Sequence, residues 1–258
     1  MHKNKPDWTK LITPEMAEVV AHIRQWNEEH PATSNYLQDY MDERVFWNDG
    51  GPVPAKVIEV EIEGPYGKIP CRLHYPRISD QPMGMMLYAH GGSLYLGNND
   101  THSRIMRTLT EKSDTVVIGV DYHLAPQNRF PKWIKECVVA TKYFRAHAAE
   151  YGLDANDVSF AGDSAGAWLS MATMLWLRDE DPDISYVTSL LLYYGLYGMY
   201  DSPTQRLYGN EIDGMMREYD EKLYPASIVD EEDVKSPHCD LLYNDLTQNV
   251  PPCFICTG

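Results

Sequence analysis

Ser164 stands at the centre of Gly162-Asp163-Ser164-Ala165-Gly166, a Gly-x-Ser-x-Gly run. A serine hydroxyl becomes a useful nucleophile when a sharp strand-to-helix turn lifts it clear of the backbone. Small residues on both sides let strand and helix approach closely enough for that turn. The following helix would aim free N–H groups at developing negative charge. The chemistry implied is attack on a carbonyl carbon, which creates an oxyanion in need of preorganised donors. A second run, His90-Gly91-Gly92-Ser93, could supply them. Gly91, Gly92 and Ser93 are backbone-donor candidates, and Ala165, the residue after the nucleophile, is a fourth. His90 reads as fixing the loop by hydrogen bonds and not as a proton carrier.

The elements expected around these residues fit the demand. Asp157 to Ala161 reads as a short buried strand, and Ala165 to Arg178 as a helix. Met85 to Ala89 is an apolar strand run that delivers His90 to its end. Further runs at Thr115–Val120 and Ser189–Tyr194 alternate with helical stretches at 101–113 and 131–151. Apolar runs alternating with helices predict a doubly wound, mostly parallel α/β sheet. Val57 to Ile62 and Lys68 to Tyr75 predict a hairpin at its edge.

Two helices precede every strand. Thr13-Pro14-Glu15 is a helix start, with a capping hydroxyl and proline at the first turn, and a second helix is expected over 34–47. They read as a helical cap spanning residues 1–50, with the core at 51–258. The stretch 196–235 breaks the rhythm and reads as a cap insertion. Aromatic and Met residues at 36–47 and 193–224 would line an apolar acyl pocket or serve as plain helix-packing surface. Cys253-Phe254-Ile255-Cys256 falls in an apparent final strand. Spacing three sends the two side chains to opposite faces, so the pair reads as packing residues and not as a redox or zinc motif.

Composition bounds the rest. Of 258 residues, 43% are hydrophobic, enough for one sizeable core. The formal charge of -16 disfavours nucleic acid and anionic membranes as partners. No apolar run reaches membrane-spanning length, and the N-terminus leads into no signal-peptide core. Five scattered cysteines read as reduced thiols. A cytoplasmic location is expected, with no metal and no organic cofactor. The oligomeric state is open, a homo-oligomer included.

His90-Gly91-Gly92, then Asp121-Tyr122-His123-Leu124-Ala125-Pro126 with Phe130-Pro131, then Gly162-Asp163-Ser164-Ala165-Gly166, resembles the order seen in the hormone-sensitive-lipase-like branch of the α/β-hydrolases. Leu96 to Arg107, Tyr194 to Gly198 and Asn244 to Thr247 look, more narrowly, like the bacterial acetyl-esterase group. The resemblance runs from about residue 14 to residue 258. It implies an α/β-hydrolase fold with a helical cap, and hydrolysis of short acyl esters of small molecules. Ser164 is then the nucleophile, and His90, Gly91 and Gly92 the oxyanion motif. Ser93 stands where a third glycine is common, and Gln127 where glutamate is.

The triad in this fold runs serine, acid, histidine. The resemblance puts the acid just after the strand matched by Cys253–Thr257 and the histidine beyond one more strand. Both positions fall past Gly258, so the expectation is a hydrolase fold without its last strand and helix, and with impaired activity. His238 is the one histidine after Ser164, but it precedes the strand expected to carry the acid. Asp163 reads as a supporting residue beside the nucleophile, not as the triad acid, and Asp121 as structural. Two alternatives accompany the serine esterase. The missing acid and histidine fit a non-catalytic hydrolase-fold protein that binds a ligand or partner. A peptidase or amidase would differ only in the leaving group.

Overall fold

The computed structural model describes residues 12–181, 183–198, 229–230 and 232–256. Among the described residues seven strands form one sheet: β1 (Lys56–Gly64), β2 (Gly67–Tyr75), β3 (Met83–Ala89), β4 (Val116–Val120), β5 (Leu153–Asp163), β6 (Val187–Tyr193) and β7 (Cys253–Cys256). Their order across the sheet is β1-β2-β4-β3-β5-β6-β7. The β1–β2 and β2–β4 pairs are antiparallel, and every pair from β4 to β7 is parallel.

Helices cover both faces. β3 shows why its sequence is apolar without a break. Met86 and Tyr88 pack on one face with Met106 and Leu109 of α3 (Ser103–Ser113). Met85, Leu87 and Ala89 pack on the other, in the core shared with α4 (Lys132–Ala146) and α6 (Ala165–Glu180). A strand buried on both sides has no solvent-facing position to fill with polar residues.

Between α4 and α5 (Ala148–Tyr151) the structure departs from the single helix expected over 131–151. His147 sits at φ -105, ψ 17 and closes α4, and its Nδ1 lies 2.8 Å from Glu150 Oε1. The apolar periodicity continues across that break, so the spacing alone reads as one helix.

α1 (Pro14–Glu29) and α2 (Tyr36–Asn48) precede the sheet, and neither has a fully buried residue. Thr13 caps α1 as the sequence suggests, accepting the Met16 N–H at 3.3 Å. The C-terminal end of α2 is tied to the start of α3. Asn48 Nδ2 donates to Thr101 O at 2.7 Å and Asn48 Oδ1 accepts the Arg104 N–H at 2.7 Å. At the opposite end of the sheet, all four residues of β7 are exposed. Cys253 and Cys256, expected to pack, face solvent there instead, because β7 is the edge strand among the described residues. Most of the predicted insertion at 196–235 lies outside the described residues. No helix among the described residues is long and apolar enough to cross a membrane.

Candidate active site

The C-terminal ends of β3, β5 and β6 meet at one place, which is where parallel sheets of this kind gather their ligands. β5 ends at Asp163 and α6 begins at Ala165, so Ser164 alone makes the turn. Its backbone sits at φ 53, ψ -121, a conformation a side chain ordinarily avoids and which neighbouring structure must hold. Three backbone contacts hold it. The Ser164 N–H donates to Tyr193 O at 2.8 Å, and Ser164 O accepts the N–H groups of Ala167 at 3.1 Å and Trp168 at 3.3 Å. Gly166 is required by packing: a Cβ there would run into the Ala89 and His90 carbonyl groups at the end of β3. The first turn of α6 therefore lies directly against the strand that carries the His-Gly-Gly loop.

That loop bends through three successive positive φ angles, at Gly92 (115), Ser93 (55) and Leu94 (65). Gly92 O accepts the N–H groups of Tyr95 (3.0 Å) and Leu96 (2.9 Å). Ser93 carries its β-carbon into the left-handed region, so the place where a third glycine is common still adopts a glycine-like backbone. The N–H groups of Gly92, Ser93 and Ala165 make no hydrogen bond to a described residue. Ala165 is the first residue of α6, whose N–H has no partner within its own helix.

The Gly91 N–H is different. Read from the sequence as an oxyanion donor, it is already given to Asp163 Oδ1 at 2.9 Å. The same oxygen accepts the Tyr88 hydroxyl at 2.6 Å. His102 Nε2 lies 3.4 Å from Asp163 Oδ2. Burial works against the Asp163 charge, but His102, Tyr88 and the Gly91 N–H outweigh it and hold the carboxyl below its ordinary range.

His90 is buried and stacks on Tyr122, with ring centroids 4.4 Å apart. Its Nδ1 is 2.8 Å from Gly91 O, and Tyr122 OH donates to His90 O at 2.7 Å. Burial, then the neighbouring His102, lowers the His90 imidazole to about 4. A neutral ring bonded to its own loop fits the sequence reading of His90 as a loop-fixing residue.

His238 lies elsewhere. Its Nε2 is 2.9 Å from Asp179 Oδ2, and its ring contacts Trp176. Asp179 is fifteen residues along α6 from Ser164, about 22 Å at 1.5 Å per residue. Asp121, read as structural, accepts the Asn99 N–H at 2.6 Å and so holds the loop that leads into α3.

A cavity of about 510 Å³ opens between the helical N-terminal segment and Thr101, the neighbour of His102 at the start of α3. Trp26, Met41, Val45 and Phe46 give it apolar walls, and Arg44 and Thr101 add polar groups. Part of the 36–47 stretch thus lines a cavity, whereas Tyr36 and Leu37 are exposed. Residues 199–224 of the other expected pocket wall lie outside the described residues.

The sequence reading missed Tyr88, His102 and Thr101. The only signal for them was their place in the resemblance between Leu96 and Arg107, and beside His90.

A strained serine between a central parallel strand and a helix, faced by a glycine loop whose N–H groups at Gly92 and Ser93 bond to no described residue, defines a class of protein. The family model of the alpha/beta hydrolase fold matches residues 86–258, and the chain belongs to that family. Its curated relatives narrow the class. The chain is 44% identical over 221 residues to the acetyl esterase of Salmonella typhi, covering 86% of this chain and 68% of that protein. It is 45% identical, over the same shares, to the acetyl esterase of Salmonella paratyphi B. Among solved structures it resembles the carboxylesterase EstE1 from a metagenomic library, with a TM-score of 0.76 at 25% identity, over 86% of this chain and 76% of that one. A Pyrobaculum calidifontis esterase shares the fold, with a TM-score of 0.78 at 24% identity, over 95% and 78%. The chain groups with the bacterial acetyl esterases of the hormone-sensitive-lipase-like branch and is a carboxylic ester hydrolase.

Proposed function

We propose that the chain hydrolyses short acyl esters of small molecules through an acyl-enzyme on Ser164. Ser164 Oγ attacks the ester carbonyl, and the N–H groups of Gly92, Ser93 and Ala165 receive the oxyanion. Collapse expels the alcohol, and water then releases the acid. Gly91 and His90 serve this site by shaping the loop, and Asp163 by anchoring it. The observation that carries the reading is the N–H set of Gly92, Ser93 and Ala165, unbonded to any described residue, beside a strained Ser164.

We read residues 1–50 as a helical cap, 51–258 as the hydrolase core and 196–235 as a second cap segment. The cavity walled by Trp26, Met41 and Phe46 supports a cap that contributes to substrate binding. All five cysteines are free thiols, which fits a reducing compartment such as the cytoplasm.

Activity in these 258 residues is impaired on this reading. No described imidazole hydrogen-bonds Ser164, and His238 is engaged at the far end of α6. A serine without its base is a weak nucleophile near neutral pH. Such a site retains about 10³–10⁴-fold catalysis over water from the oxyanion donors and binding. The test is p-nitrophenyl acetate hydrolysis by the purified chain beside Ser164→Ala. A slow, Ser164-dependent rate is expected. Identical rates for the two proteins would remove Ser164 as the nucleophile. Turnover near the ordinary enzyme value of about 10 s⁻¹ would remove the impairment.

A further inference from the structure

Asp163 holds the oxyanion loop, and something must hold Asp163. His102 is 5% exposed and closes the N-terminal end of α3. One ring nitrogen, Nε2, is 3.4 Å from Asp163 Oδ2, at the long end of hydrogen-bond range. The other, Nδ1, is 2.9 Å from Thr101 Oγ1.

The surroundings of the two nitrogens decide which one carries the hydrogen that matters here. Thr101 Oγ1 accepts the Asn98 N–H at 2.8 Å and lies 2.9 Å from both Asn98 O and His102 Nδ1. Across the ring, Nε2 faces an ionised carboxylate. A bare Nε2 would set its own lone pair against that negative charge, so Nε2 carries a hydrogen.

We infer that His102, with a hydrogen on Nε2, is a positioning residue for the oxyanion loop. Thr101 orients the ring from one side. Its Nε2–H fixes Asp163 Oδ2 from the other, and Asp163 Oδ1 in turn fixes the Gly91 N–H. The chain of contacts runs from the start of α3, through the residue before the nucleophile, into the loop that faces the nucleophile. His102 touches no reacting atom. It sets where Gly92 and Ser93 present their N–H groups, and this role rests on the reading of Ser164 and that loop as the catalytic centre.

The decisive measurements are made on the whole 258-residue chain by nitrogen-15 NMR. Nε2 of His102, assigned by its loss in His102→Gln, is expected to resonate as N–H. The Gly91 amide is expected to exchange about tenfold faster in His102→Phe than in wild type, as local opening becomes easier. His102→Gln, which keeps one N–H directed at Asp163, is expected to recover part of that protection. Labelling of Ser164 by a p-nitrophenyl phosphonate, followed by mass, gives the catalytic readout. His102→Phe is expected to lower the maximal labelling rate tenfold or more, a loss of the size that misplaced groups cause, with half-saturation nearly unchanged. An Nε2 without a hydrogen, or unchanged Gly91 exchange in His102→Phe, overturns the inference. If wild type is not labelled at Ser164, the nucleophile reading fails, while the NMR results still decide the state of His102. If His102→Phe does not fold, the ring spectrum of wild type and the Gly91 exchange of His102→Gln decide.

Discussion

Asp163 Oδ1 accepts the Gly91 N–H at 2.9 Å, so the residue before the nucleophile holds the loop opposite it. Elbow and loop are thereby one mechanical unit, although 72 residues separate the two groups in sequence. Removing the carboxylate strands two buried donors, the Gly91 N–H and the Tyr88 hydroxyl. Asp163→Ala is expected to cost about 2–4 kcal/mol, because each unsatisfied buried group carries its full desolvation penalty. Asp163→Asn keeps an acceptor oxygen and is expected to lose less. Urea denaturation of the two variants checks the order, and equal losses would mean the hydrogen bonds do not matter.

His238 tests the other end of α6. Its imidazole is paired with Asp179 and is remote from Ser164. His238→Ala is expected to leave the rate of p-nitrophenyl acetate hydrolysis within about twofold. The pair is partly exposed, so the stability loss should stay under about 1 kcal/mol. A collapse in rate with intact folding would return His238 to the reaction.

The contrast between Ser164 and His102 shows how far the sequence could be read. Ser164 was legible because its motif is local: strand, turn and helix follow one another directly in the chain, and the glycines that permit the turn stand two positions to either side. The Met85–Ala89 run was legible because a strand covered on both faces must be apolar throughout. The partnership of His102 with Asp163 joins two positions by tertiary packing, and neither residue type announces it. Gly91 failed as an oxyanion donor for the same reason, since nothing local says that its N–H is already used. The break at His147 was hidden because apolar spacing continues through it. Cys253 and Cys256 look like core residues by type, and their exposure follows from the sheet order, which spacing does not encode.

Arg178 ties α6 to the segment leading into β7. Its side chain is 8% exposed. Nη1 donates to Asp245 O at 2.6 Å and to Gln248 O at 3.0 Å, and Nη2 donates to Asn244 Oδ1 at 2.5 Å. Arg178→Ala is expected to destabilise the chain by about 2–3 kcal/mol. Arg178→Lys should restore little of it, because a single ammonium cannot span the three acceptors that the guanidinium fork reaches. Urea midpoints give the comparison. Full rescue by lysine would show that charge, and not the fork, is what the segment requires.

Stability should fall as the pH drops from about 6.5 to 4, and two buried histidines are the reason. His74 and His90 are both 2% exposed. Burial is the first cause in each case, with Arg72 and Arg107 near His74 and His102 near His90, and both imidazoles are lowered to about 4. Between 4 and the unfolded value of about 6.5, the unfolded chain binds these protons and the folded chain does not. Acidification through that window therefore favours unfolding, and below it the penalty is constant. Asp121 pulls the other way. Burial raises its carboxyl to about 6, so between its unfolded value and 6 the folded chain holds the extra proton and gains stability as pH falls. His74→Leu isolates one contribution without touching the active-site loop. Its urea stability should change less between pH 6.5 and 4 than that of wild type, by on the order of 3 kcal/mol for a shift of this size. Parallel curves for the two proteins would mean that His74 is not held neutral in the folded chain.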